Sequence, residues 1–140
     1  MLFWAGGDTI AAKMSARLKT DLWVQAQVRL CDLQFIPIAV TQRGDPDAGS
    51  ILLKLLHKDG LCLLLRRSTT FEGEQGWAIA AGGGAAGSGV AGGRVTETRE
   101  VSEDTADGYI ERESARDRDL WVVEIEDYDG RYEIDGPVET

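Results

Sequence analysis

Little in this sequence is basic, thiol-rich or continuously apolar. Lys and Arg number 15 against 24 Asp and Glu, a formal net charge of -9. Such a chain repels phosphate backbones rather than binding them through counterion release, so nucleic acid is not an expected partner. Cysteine occurs only at Cys31 and Cys62, each inside an apolar run, without the dense spacing of a disulfide-stapled secreted domain. Reduced thiols and a cytoplasmic location are expected. No stretch approaches the roughly 18 apolar residues of a membrane span. Met1 to Trp4 is apolar but breaks at once into Ala5-Gly6-Gly7-Asp8, so no secretory signal is expected.

What is present is a globular composition, 43% hydrophobic and 28% charged over 140 residues, enough for one hydrophobic core. Residues 1–16 show neither helical nor strand period and read as a flexible tail, with a second methionine at Met14. Thr20 and Asp21 are N-cap candidates for a helix running to about Phe35, because their side-chain oxygens can accept unpaired backbone amides. Gln25, Arg29 and Asp32 form one polar stripe on it. Most of the remaining circumference is apolar, including Leu22, Trp23, Val24, Leu30, Cys31 and Leu33, which is more than one sheet covers. A subunit contact on this helix is one expectation.

Ile36 to Gln42 reads as a strand, with Pro37 placing it at a beginning or an edge. Arg43-Gly44-Asp45-Pro46-Asp47-Ala48-Gly49 is a turn-rich connector. Ser50 to Lys58 and Leu61 to Arg67 flank Asp59-Gly60, which predicts a two-residue hairpin with Lys58 facing Leu61. Both faces of that hairpin are apolar, so the sheet needs two covers. Trp77 to Ala81 reads as a further strand. Gly82 to Gly93 is almost wholly glycine, alanine and serine and reads as a flexible loop. A second helix is predicted near Ser102, with Ala106, Tyr109 and Ile110 inward. Leu120 to Glu126 is a clear strand, and a short closing strand is predicted through Tyr132 to Ile134. The fold class expected is α+β: one central, mostly antiparallel sheet packed by two helices, ordered helix, three to four strands, helix, one to two strands. Residues 17–139 would form this single domain.

The segment Ala16-Arg17-Leu18 through Trp23-Val24, the connector Arg43 to Gly49, and Asp119-Leu120-Trp121-Val122-Val123-Glu124-Ile125-Glu126-Asp127 resemble a small alphaproteobacterial family, domain-of-unknown-function family 1491. The resemblance spans most of residues 14–139. The tail before Met14 and the run Gly82 to Gly93 depart from it. It implies a bacterial cytoplasmic protein and carries no activity, cofactor or catalytic residue.

Each candidate site has a structural counter-reading. Gly82, Gly84 and Gly87 match a dinucleotide-binding spacing, yet Gly87, Gly89 and Gly92 repeat it and no helix opens there, so no cofactor is expected. Asp45 and Asp47 could hold a hard cation, but turn aspartates ordinarily accept neighbouring backbone amides, and Arg43 could pair with one of them. With Arg43, these aspartates form the candidate binding surface. The order helix, strand, Pro-Asp turn, strand and hairpin resembles restriction-endonuclease-like nucleases, yet Leu61 to Arg66 lacks the acidic-x-lysine signature. In the predicted hairpin His57 lies opposite Cys62, although a buried cysteine acting as a small hydrophobe explains the thiol without chemistry. Arg66, Arg67, Arg112, Arg116 and Arg118 read as solvated charge that would bind anions only if the fold gathered them. Trp23, Trp77 and Trp121 are core candidates. The function expected is a non-catalytic binding or interaction module, possible as a homodimer. The alternative is a metal-dependent nuclease or hydrolase centred on Asp45 and Asp47.

Overall fold

A computed structural model describes residues 19–69, 73–80 and 100–139. The tail expected at 1–16 and the glycine-rich loop at 82–93 lie outside them. Helix α1 spans Thr20–Leu33 and α2 spans Glu103–Arg116. The strands are β1 (Ile38–Gln42), β2 (Ile51–Leu56), β3 (Leu61–Thr69), β4 (Gln75–Ile79), β5 (Glu100–Ser102), β6 (Trp121–Glu126) and β7 (Val138–Glu139). They form one sheet in the order β1-β6-β2-β3-β4-β7, with β5 pairing beside β4 along β3. Pairings β2–β6 and β4–β7 are parallel and the other four antiparallel, so the α+β class holds.

Local chemistry accounts for most boundaries. Pro37 has no amide to donate, and β1, which it precedes, is an edge strand. Ser102 caps α2, its hydroxyl accepting the Thr105 amide at 3.2 Å. Helix α1 starts differently from expectation. Its N-cap is Lys19, without a side-chain cap. Thr20 instead donates its hydroxyl to the Gly49 carbonyl at 2.9 Å, and the Asp21 amide donates to the Pro46 carbonyl at 3.0 Å. The start of the helix is thus docked on the connector.

The hairpin also differs. Leu56 pairs with Cys62, and the His57 amide donates to the Leu61 carbonyl at 2.9 Å, leaving a three-residue loop, Lys58 to Gly60. Gly60 takes φ +85°, and Asp59 accepts the Leu61 amide at 2.9 Å, a turn closed by a glycine bulge. The pairing is shifted by one residue from the predicted register, which turns every β3 side chain to the opposite face. Leucines on both faces cannot oppose such a shift.

Helix α1 covers one face of the sheet, over Ile51, Leu53, Leu55, Leu65, Val123 and Ile125, with Trp23, Trp77 and Trp121 all buried there. Helix α2 covers the other through Ala106, Tyr109 and Ile110 against Leu52, Cys62, Leu64 and Val122. Each fully buried leucine or isoleucine contributes about 1.5–3 kcal/mol over the exposed state. The predicted closing strand at Tyr132 to Ile134 is absent. Tyr132 and Ile134 pack against the core while their backbone leaves the ladder, and β7 joins β4 further on.

Candidate functional site

The connector holding Arg43, Asp45 and Asp47 is a clasp between α1, β2 and β6. A side chain at Gly44 would come within 2.0 Å of the Asp119 carbonyl oxygen, and one at Gly49 within 2.3 Å, so both glycines are required for the close approach. Asp45 donates its amide to Asp119 at 3.1 Å, and its carbonyl accepts the Trp121 indole at 2.8 Å. Its carboxylate accepts the Ala48 amide at 2.8 Å. Asp47 pairs with Lys19 at 3.4 Å in the open, and Arg43 stacks 5.0 Å over the Trp121 ring. Asp45 and Asp47 therefore have separate partners. Among the described residues no three His, Cys, Asp or Glu side chains are grouped to hold a metal ion.

His57 and Cys62 are not brought together. His57 lies opposite Leu61, and its Nδ1 contacts Glu100 of β5 at 2.5 Å beside an open cleft of about 500 Å³ lined by Asp127 and Asp129. Cys62 points beneath α2. Burial, more than the counteracting Lys54 charge, pushes its thiol up to about 11, and burial with the Asp127 and Asp32 charges does the same at Cys31. Neither thiol is an activated nucleophile. Of the five arginines, two are brought together on one carboxylate and a third lies on the other face. Arg66 and Arg116 both pair with Glu113, at 2.5 and 2.7 Å, whereas Arg67 enters the opposite face.

Three features escaped the sequence. Lys54, in the middle of β2, is 2% exposed and meets Asp107 at 2.8 Å, Glu103 at 2.9 Å and Glu124 at 3.9 Å. Burial alone would lower its basicity, but the Asp107 and Glu103 hydrogen bonds outweigh it and raise the ammonium above the usual lysine range. The signal was a lone lysine within Ile-Leu-Leu-Lys-Leu-Leu and an i, i+4 acidic pair at the start of α2. Arg67 lies on the α1 face with its guanidinium 5.2 Å from the Trp23 ring and 5.1 Å from that of Trp77. Only the correct hairpin register would have placed it there. Glu100 reaches His57 through a short strand that has no periodic signature.

A further candidate is a surface. On α1, Leu22 is 46% exposed, Leu30 48% and Leu33 71%, and Ala26 lies on the same side. At 100° per residue these four share one quadrant, bordered by Arg29, Gln25 and Asp32. Phe35 follows, 89% exposed and at φ +59°. It closes the helix in a Schellman arrangement, its amide donating to the Asp32 carbonyl while that of Ile36 donates to Cys31. Among the described residues no helix is long and apolar enough to cross a membrane.

The model of a family described as protein of unknown function (DUF1491) matches residues 18–135. A DUF1491 family protein from Caulobacter crescentus CB15, solved by NMR, is 34% identical with a TM-score of 0.68, covering 89% of this chain and 98% of its own. A crystal structure of a DUF1491 family protein from the same organism is also 34% identical, with a TM-score of 0.69 over 87% of this chain and 99% of its own. Protein Atu0922 from A. tumefaciens, 24% identical with a TM-score of 0.57, shares the fold over 88% of this chain and 99% of its own. No curated protein matches. The matched segment takes in the connector, both helices and the β6 strand, and the chain belongs to the DUF1491 family.

Proposed function

We propose that this protein is a non-catalytic interaction module that pairs with a second copy of itself through the exposed side of α1. The observation that carries this is Phe35. A bulky side chain in left-handed backbone costs about 1–2 kcal/mol where glycine would cost little. Here the same residue is also 89% exposed, so the fold gains neither local ease nor burial from it. Leu22, Ala26, Leu30 and Leu33 extend the apolar area along the helix.

The stripe is self-complementary. Arg29 and Asp32 are exposed and have no ion-pair partner among the described residues. Two antiparallel copies of α1 related by a two-fold axis near residues 30 to 33 put Leu30 against Leu33 of the partner subunit. The same axis brings Arg29 to the flank that carries Asp32 of the partner subunit, about two residues out of register and within the reach of an arginine, twice. One polar and one apolar pairing are then met by a single symmetry operation.

Light scattering after size exclusion tests this. The native chain is expected as a dimer at micromolar concentration. Leu30→Glu with Leu33→Glu is expected as a folded monomer. Phe35→Gly should weaken association while leaving thermal stability equal or higher, because it relieves the backbone. A strict monomer across the micromolar range would sink the proposal and leave the stripe to a different protein. The competing metal-dependent nuclease or hydrolase at Asp45 and Asp47 finds no favouring observation, since both carboxylates are engaged elsewhere. Stabilisation by magnesium, manganese or zinc that vanishes in an Asp45→Ala, Asp47→Ala variant would revive it.

A further inference from the structure

The α1 face of the sheet holds a cation whose hydrogen bonding is incomplete. Arg67 projects from β3 over a pair of tilted indoles, Trp23 and Trp77, whose centroids are 5.4 Å apart. Its Nε donates to Gln75 Oε1 at 2.8 Å. The nearby Asp135 carboxylate accepts the Trp23 indole N–H at 3.1 Å and supports the guanidinium through charge rather than through a hydrogen bond. Arg67 Nη1 is buried and has no hydrogen-bond partner among the described residues. Buried guanidinium donors are ordinarily paired, because nothing replaces the water they lose.

Arg67 also lines a cavity of about 260 Å³. Thr20 and Trp23 of α1 wall it on one side, Ala48 and Gly49 of the connector on another, and Gln75 on β4 completes it. The lining is more polar than an ordinary core void, and the cavity lies beside the first turn of α1, where the helix dipole favours negative charge. The indole stack and Gln75 hold the guanidinium fixed, so little freedom is left to lose when a ligand binds. The volume is below the range of drug-sized ligands, which suits a group of a few heavy atoms.

We propose that this cavity is a binding site for a small oxyanion, a phosphate or carboxylate group, with Arg67 supplying the charged donor. The chain's overall negative charge gives no long-range attraction, so recognition rests on this local geometry. The site is separate from the exposed side of α1 and does not depend on self-association.

NMR of the full chain tests it, following the Arg67 Nε–H and the indole N–H signals of Trp23 and Trp77. Titration with inorganic phosphate or with acetate, against chloride at equal ionic strength, is expected to give saturable shifts with at least one oxyanion and none with chloride. Which oxyanion saturates first separates a phosphate from a carboxylate ligand. Ala48→Phe enlarges a residue on the cavity wall, and it should abolish the response. Arg67→Lys should weaken binding about tenfold or more, since an ammonium cannot reproduce the fixed planar fork. The proposal is overturned by an absence of saturable shifts into the tens of millimolar, or by unchanged binding in Ala48→Phe. If Arg67→Lys fails to fold, Ala48→Phe still decides.

Discussion

Lys54 and Arg67 sit on adjacent strands, and the fold accommodates the two cations in opposite ways. Lys54 faces α2 and is answered by charge, with two carboxylates of α2 inside 3 Å and Glu124 of β6 further off. Arg67 faces α1 and is answered by two indole faces, a neutral amide and, without a hydrogen bond, the charge of Asp135. A compact, strongly hydrated ammonium needs anionic acceptors when it leaves water. A flat, weakly hydrated guanidinium can lie against aromatic rings. The first arrangement consumes its donors on the protein itself, whereas the second leaves Nη1 unmatched. A buried cation that is fully paired is a structural element, and one that is incompletely paired is a candidate for a ligand.

The largest effect should come from stripping Lys54 of its acceptors. Glu103→Gln with Asp107→Asn leaves a buried ammonium with Glu124, at 3.9 Å, as its one remaining carboxylate among the described residues. The expected loss is about 3–5 kcal/mol in urea unfolding. Adding Lys54→Met to that pair should restore most of it, because a similar volume then packs without a charge to solvate. If Lys54→Met rescues nothing, the two carboxylates act through the α2 terminus rather than through the lysine, and the contrast with Arg67 fails.

On the α1 face the loss should be smaller. Arg67→Lys gives up the stacking and the Nε contact with Gln75 but keeps the charge, for an expected cost of about 1–2 kcal/mol. Trp77→Leu should cost more through lost burial, and the double variant should cost less than the sum of the two, since each removes the same stack. Strict additivity in that cycle would mean that guanidinium and indole are merely neighbours.

How legible these two sites were follows from which residues carry a local signal. The three core tryptophans, the edge position announced by Pro37 and the start of α2 near Ser102 all depend on residues within a few positions, and each was readable. The hairpin register depends on contrast between two faces. With Leu52 and Leu56 on one and Leu53 and Leu55 on the other, the β2 pattern carries almost none. The placement of Arg67 was lost with it, since a one-residue shift exchanges Arg66 and Arg67 between faces. Lys54 breaks the leucine run and was visible, but its partners lie 49 and 53 positions away. Tyr132 and Ile134 alternate as a strand does and point inward as a strand would. Their backbone is diverted because the Tyr132 amide donates to Asp127 at 3.0 Å and its hydroxyl reaches Gln27 at 2.7 Å. Of the connector, the turn was readable in its Gly, Pro and Asp residues. That its acidic groups serve the turn depends on Lys19, Asp119 and Trp121, which no spacing rule places there.

The smallest effect separates what the two faces share from what divides them. Cys31 lies on the α1 face and Cys62 on the α2 face, and burial, ahead of the surrounding charges, pushes both thiols from an ordinary value near 9 up to about 11. A raised thiol pKa means that the folded state keeps a proton which the unfolded chain releases. The associated stability is complete below about pH 8.5 and falls as pH rises toward 11. Each thiol should contribute a decline on the order of 1 kcal/mol by pH 10. Cys31→Ala and Cys62→Ala should each flatten the slope of unfolding free energy between pH 9 and 10.5, whatever they do to its absolute level. Lys54 has the same sign but a later onset, because its contribution is complete up to the ordinary lysine value and is lost only as pH climbs past it. The Lys54→Met profile should therefore run parallel to the native one through pH 9.5 and diverge above about 10.4. Divergence already at pH 9 would show that the ammonium is less firmly held than its three carboxylates imply, and would remove the contrast between a closed cation site and an open one.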